Sequence, residues 1–350
     1  MHCELLVPDL FAAEAGGAAP RLASLELLLA RGRRAENESE NDAARGLEGW
    51  LAREFGCDAP LPAGALSVLA DGVIAGGDQS DALWLRADPI HLAIEREHAT
   101  IVPSAAFAVT REEAEALCET LNRHFAAEMT IYPLHAERWC ARLAADIAPP
   151  LARSPLELAR LPLKEHLPAG EDAKRWHGLL NEAQMLLHDH PVNAAREARG
   201  VLPINSLWFW GAGRLPRNAA ARGRSRFKSV TADEPLARGL ARRAGIAPRE
   251  LPRDAAAWLA ASPADGVHLV VLDGLRAPQA LGDAQACAAS LQEIDARWCA
   301  PLLEALRAGR VGMVTIHAPE AGLSFEATRG DLRRFWRRAR ALERYAERAG

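Results

Sequence analysis

The sequence predicts an α/β protein, a mostly parallel sheet flanked by helices, with a smaller inserted α+β domain. Three observations predict it. Short apolar runs ending in Asp, His or Gly alternate with helical stretches on both flanks of the chain. Between those flanks lies a strand-rich texture holding one clear helix. The composition is globular: 350 residues, 49% hydrophobic and 25% charged, with a formal net charge of −4, long enough for two domains. The outer domain is expected over 1–81 and 146–350 and the inserted one over 82–145.

Residues 3–10 form an apolar run closed by Pro8-Asp9, a buried strand that delivers a carboxylate at its end. Leucines at helical spacing predict a helix over 22–31, stopped by Gly32, and a second over 43–55, stopped by Gly56. The Pro/Gly-rich stretch 60–77 holds one apolar run, Ala65–Ala70. Strands are expected at 83–86, 91–95, 107–109, 129–132 and 138–142, around a helix over 111–125 whose Thr110 and Glu113 form a capping box. A helix over 176–190 precedes a strand over 203–210 that ends in Gly211-Ala212-Gly213. Helices follow at 235–244 and 255–261, a strand at 267–272 ending in Asp273, a long helix at 283–308, and a strand at 311–316 before His317. An amphipathic helix over 331–348, with an aromatic face on the domain and arginines in water, closes the chain.

The apolar runs are far shorter than the roughly 18 residues of a bilayer span, so no membrane association is expected. The first residues lack a signal-peptide layout, and the six cysteines include no Cys-x-x-Cys pair, which together suggest a reduced cytoplasmic setting. The mild negative charge argues against nucleic acid as the main partner.

Asp9, Asp273 and His317 all follow apolar strands, and ligands of α/β sheets bind off the carboxyl ends of strands. Convergence of those side chains suits a divalent metal, Mn, Zn or Mg, although each position taken alone also suits a turn or helix cap. His188-Asp189-His190 reads as a helix end rather than a metal pair, because residues two apart do not share a helix face. Gly211-x-Gly213 resembles a dinucleotide turn, but Pro216 stands in the third glycine's place. The basic tract 214–228 is either a phosphate-binding loop or a solvated one.

The block Asn181 to Gly200, containing His190-Pro191-Val192-Asn193, Arg196 and Gly200, followed by Asn205-Ser206-Leu207-Trp208-Phe209-Trp210-Gly211-Ala212-Gly213, resembles the cofactor-independent phosphoglycerate mutases of the alkaline phosphatase superfamily. It resembles more closely still the bacterial RpfE-type regulatory, phosphoglycerate mutase-like proteins. The resemblance implies an alkaline-phosphatase-like fold and a small phosphorylated metabolite as ligand. It also implies an isomerase or phosphatase chemistry using two divalent metals, a serine nucleophile and substrate-holding arginines. Carried onto this chain, Asp9, Asp273 and His317 take the metal role, and Ser80 in Gln79-Ser80-Asp81 is the candidate nucleophile, with a plain turn as its alternative. Arg214, Arg217, Arg222, Arg224 and Asn205 are the candidate substrate-binding residues. Two departures stand out: the family's histidine after Asp273 is replaced by Leu275-Arg276-Ala277-Pro278, and the acidic neighbour of His317 is apolar. A guanidinium repels a metal cation, so a degenerate site in a catalytically inactive, regulatory relative is the competing reading, with an unidentified protein partner.

Overall fold

The computed structural model describes residues 1–12, 20–36, 46–72, 82–94, 98–144, 147–215 and 225–346. The chain divides into two compact units, Met1–Pro60 with Asn218–Gly350, and Leu61–Arg217. The strand-rich stretch expected at 82–145 thus belongs to a longer inserted unit.

The first unit is built on a six-stranded sheet in the order β2-β11-β10-β1-β9-β8. Its strands are β1 (His2–Leu6), β2 (Arg33–Glu36), β8 (Phe227–Thr231), β9 (Val267–Val271), β10 (Met313–Ala318) and β11 (Leu323–Thr328). β8, β9, β1 and β10 run parallel, as the alternation of strands and helices requires. The edge pair β11 and β2 is antiparallel. Strand alternation sorts the faces. Cys3, Leu5, Val314 and Ile316 point into the main core, shared with α1 (Ala23–Arg31), whose Leu25 and Leu28 are buried there. Glu4, Thr315 and His317 take the opposite face, where Trp50 of α2 (Gly46–Glu54) packs its ring 4.9 Å from that of His317.

The inserted unit carries α3 (Ala63–Ala70), β3 (Trp84–Ile94), β4 (Ala99–Pro103), α4 (Arg111–His124), β5 (Met129–His135), β6 (Arg138–Leu143), α5 (Pro155–Leu158), α6 (Ala173–His188), α7 (Pro191–Ala198) and β7 (Ser206–Gly213). β3 anchors an antiparallel sheet: β6 pairs its start, β4 its end, and β7 runs along Trp84–Ile90. β7, expected in the parallel sheet, therefore belongs here. The apolar run Ala65–Ala70 is helical, and residues 107–109 form no strand. Gly64 explains how α3 lies on β3: a Cβ there would sit 2.4 Å from the Leu85 Cα. Gly211, at φ +60, and Gly213 face Ala63 and Pro62 in the same way. The Gly-x-Gly pair is thus a close-packing surface for α3.

The first unit resumes with α8 (Pro235–Arg243), α9 (Ala255–Ala261), α10 (Arg276–Leu281), α11 (Ala284–Glu293) and α12 (Ala300–Arg307). The expected long helix passes from α11 to α12 through a π segment, Ile294–Cys299, just before Pro301, whose missing N–H removes one helical hydrogen bond. The closing helix does not form. Residues 331–346 make only two single turns, Asp331–Arg333 and Leu342–Tyr345. Arginines there serve the orphan carbonyls at the end of α1: Arg334 Nη1 donates to the Arg31 carbonyl at 3.3 Å and Arg337 Nη1 to that of Gly32 at 3.0 Å. No helix is long and apolar enough to cross a membrane among the described residues.

Candidate active site

The carboxyl ends of the four parallel strands gather acidic side chains around one arginine. Asp9 follows β1, Asp233 and Glu234 follow β8, Asp273 follows β9, and Glu320 follows β10. Arg276 opens α10, its backbone N–H donating to the Asp273 carbonyl at 3.0 Å. Gln279 of the same helix donates to the Ala12 carbonyl at 2.7 Å, which ties α10 to the loop carrying Asp9. Asp9 itself sits in the left-handed region, φ 60, with its N–H donated to Glu320 Oε2 at 2.8 Å. Such a conformation persists in a non-glycine residue only where its surroundings hold it.

Electrostatics links these groups. Burial pushes the carboxyl groups of Asp9 and Asp273 above their usual range, and the charge of Arg276 pulls each back. Burial likewise raises Glu234, opposed by its hydrogen bond from Ala237 N–H and by Arg276, and raises Glu320, with the Asp9 charge adding to the rise. Raised carboxyl groups beside a cation at strand ends make this the candidate site. Asp9 and Asp273 both stand at these strand ends and both feel the charge of Arg276.

His317 takes a different position. Its Nε2 lies 3.1 Å from Glu4 Oε2, under Trp50, while its buried Nδ1 has no partner among the described residues. Arg226 closes on the same Glu4 carboxylate and on Glu54. Burial alone would raise Glu4; His317 and Arg226 hold it at about 2. Among the described residues no three His, Cys, Asp or Glu side chains are grouped so as to hold a metal ion. Asp9, Asp273 and His317 therefore do not form the expected triad, and a guanidinium lies within electrostatic reach of both aspartates. Among the described residues, these three side chains are not grouped as a two-metal centre would require.

Of the substrate-binding candidates, Asn205 is committed to the backbone: its side chain accepts from Leu92 N–H at 2.7 Å and donates to the Leu92 carbonyl at 3.1 Å. Arg214 is exposed in the inserted unit. Ser80, Arg217, Arg222 and Arg224 lie outside the described residues. His188 ends α6 as the helix-end reading expected, but His190 starts the next helix: it caps α7, its Nδ1 accepting from Val192 N–H at 3.2 Å. Sequence reasoning missed Glu4, Glu234 and Glu320, and it placed Arg226 in the basic tract 214–228 without its Glu4 partner. Glu234 follows a strand, β8, that had no clear apolar signature, and Glu320 stands three residues after His317.

Two residues of the central block, Asn193 and Trp210, bond within their own unit. Asn193 is 1% exposed and bonds the Leu187 and Ile204 carbonyls and the Ile204 N–H at 2.7, 2.8 and 2.8 Å. A buried polar cluster in the same unit joins Arg86, Asp88 and Trp210: Asp88 accepts from Arg86 Nε at 3.0 Å and from Trp210 Nε1 at 2.7 Å. Asp88 is thus bonded within the unit's own core.

With that geometry in place, the match of a family model falls within the inserted unit. The family model of 2,3-bisphosphoglycerate-independent phosphoglycerate mutase matches residues 79–193. The phosphoglycerate mutase of Methanosarcina barkeri is 30% identical over 123 residues, 35% of this chain and 31% of the relative. That of Methanothrix thermoacetophila is 39% identical over 62 residues, 18% of this chain and 16% of the relative. The chain thus matches under a third of these relatives' length. Among solved structures, the cofactor-independent phosphoglycerate mutase of Thermoplasma acidophilum is 18% identical with a TM-score of 0.48, over 100% of this chain and 95% of that one. A protein of Pyrococcus horikoshii gives 15% and 0.49, over 93% and 87%.

Proposed function

Starting from a chain that is phosphoglycerate mutase-like over residues 79–193, we propose that it binds a small phosphorylated metabolite without carrying out the conventional two-metal phosphoryl transfer. In this reading it is a catalytically inactive relative with a regulatory role of the RpfE type. One observation carries it: Arg276 opens α10 directly after Asp273, on a helix tied by Gln279 to the loop of Asp9, so that its charge bears on Asp9, Glu234, Asp273 and Glu320. A guanidinium there supplies positive charge of the kind metals would otherwise bring, and it disfavours a further cation. It remains a good hydrogen-bond partner for a phosphate, but offers no Lewis acid to polarise a phosphoryl oxygen and no metal-bound nucleophile.

The test is a coupled assay of 3-phosphoglycerate to 2-phosphoglycerate conversion with added manganese, cobalt or magnesium, run beside equilibrium binding of 3-phosphoglycerate. The expected result is saturable binding that survives chelator, with no turnover in any metal. Metal-dependent turnover that Asp9→Ala abolishes would establish a working mutase with a rearranged site and overturn the reading. Turnover lost in Ser80→Ala would further identify the nucleophile.

A further inference from the structure

A second site lies in the first unit, remote in chemistry from the carboxylate cluster and independent of the reading above. A cavity of about 700 Å³ opens where the end of α1 and β2 meet the C-terminal segment. Its wall carries Arg34, Arg337, Arg338, Arg340, Arg344 and the ring of Trp336, and no Asp or Glu lines it among the described residues. Neighbouring arginines are neutralised: Arg33 pairs with Glu326, and Arg334 with Asp331 at 2.8 Å. The side chains of Arg338 and Arg340, by contrast, make no hydrogen bond or ion pair among the described residues.

The aromatic groups there are equally uncommitted. Trp336 is 66% exposed and Phe335 78%, their rings 5.3 Å apart at 81°. Large aromatic surface left in water beside unpaired guanidinium groups marks a recognition surface rather than a packing one. Guanidinium forks match phosphate oxygens in pairs, an indole face stacks on a nucleobase, and the volume is that of a small-ligand pocket. We infer that this cavity binds a nucleotide, its base stacked on Trp336 and its phosphates held by Arg338 and Arg340. The same chemistry is presented by a free nucleoside polyphosphate and by a single-stranded nucleic acid.

The experiment titrates the full chain with etheno-ATP, whose emission reports stacking, and displaces it with ATP, tripolyphosphate or a ten-residue oligothymidylate. Saturable binding that weakens steadily with salt is expected. Trp336→Ala, a change at an exposed side chain, should weaken it about tenfold with an unchanged Tm, and Arg338→Ala with Arg340→Ala should flatten the salt dependence. Displacement by ATP alone assigns a free nucleotide; displacement by oligothymidylate at lower concentration assigns a nucleic-acid strand. Absence of saturable binding overturns the inference, as does tripolyphosphate competing as well as ATP with Trp336→Ala unchanged, which would leave only a polyanion patch.

Discussion

The guanidinium of Arg196, 1% exposed, meets the carboxylate of Glu113 at 2.5 Å across 83 residues of chain. The contact joins α7 to the first turn of α4, where Glu113 also completes the capping box with Thr110. Arg196 further donates to the Leu202 carbonyl at 2.8 Å and lies over the Phe107 ring, 5.6 Å from its centroid. The arginine of the mutase-like block therefore fastens one unit's helices together. Replacing Arg196 by Met should lower unfolding stability by about 3 kcal/mol, the scale for removing one partner of a buried ion pair. Denaturant titration checks it; a loss below about 1 kcal/mol would show that Arg199, the second partner of Glu113, suffices.

The same carboxylate gives a pH dependence. Burial would raise Glu113, but the Thr110 N–H and the Arg199 and Arg196 guanidinium groups outweigh it and hold the group below its ordinary value. A carboxyl depressed in the folded state contributes stability that is fully present above the unfolded value, about 4.3, and is lost as pH falls through the folded value. Glu113→Gln should therefore be less stable than the natural chain at pH 7, with the gap closing as pH drops below about 4. Thermal melts across that range read it. A gap of constant size would assign the effect to the cap geometry instead of the charge.

Much of this architecture was written locally. β1, β9 and β10 declare themselves as apolar runs, and the cap of α4 as Thr110 and Glu113, because each signal lies within a few residues. Asp9 and Asp273 follow neighbouring parallel strands, and the charge of Arg276 bears on both. What stayed hidden depends on distant partners. β7 pairs with β3 across more than a hundred residues, and the tight seat of α3 against Gly211 and Gly213 shows only in space. The closing segment has helical spacing, but the carbonyls of Arg31 and Gly32 capture its arginines. His317 has the strand-end position of a ligand, and only the fold shows that Glu4 holds its ring.

Two glycines of helices should respond oppositely to one added methyl group. At Gly64 of α3 the new Cβ would lie 2.4 Å from the Leu85 Cα, and a strand backbone cannot give way cheaply. Gly64→Ala should cost roughly 2 to 3 kcal/mol by overpacking. At Gly178 of α6 nothing lies within 4 Å, so Gly178→Ala should stabilise by up to about 1 kcal/mol through helix propensity. Chemical denaturation of both variants decides the matter, and a neutral Gly64→Ala would refute the close seat of α3 on β3.

Arg276 carries the most informative substitution. Removing its charge leaves Asp9, Asp273, Glu234 and Glu320 without the cation common to all four, and their mutual repulsion then favours a bound cation. Arg276→Ala should therefore gain affinity for manganese, seen as a metal-dependent rise in Tm that the natural chain lacks, because a ligand binding only the folded state stabilises by mass action. Without metal the variant should be less stable, since burial already raises these carboxyl groups and the loss of Arg276 raises them further. Calorimetric titration with manganese chloride reads the affinity directly. Equal manganese binding by the natural chain and Arg276→Ala would mean that the guanidinium does not take the metal's place, and would return Asp9 and Asp273 to the role of metal ligands.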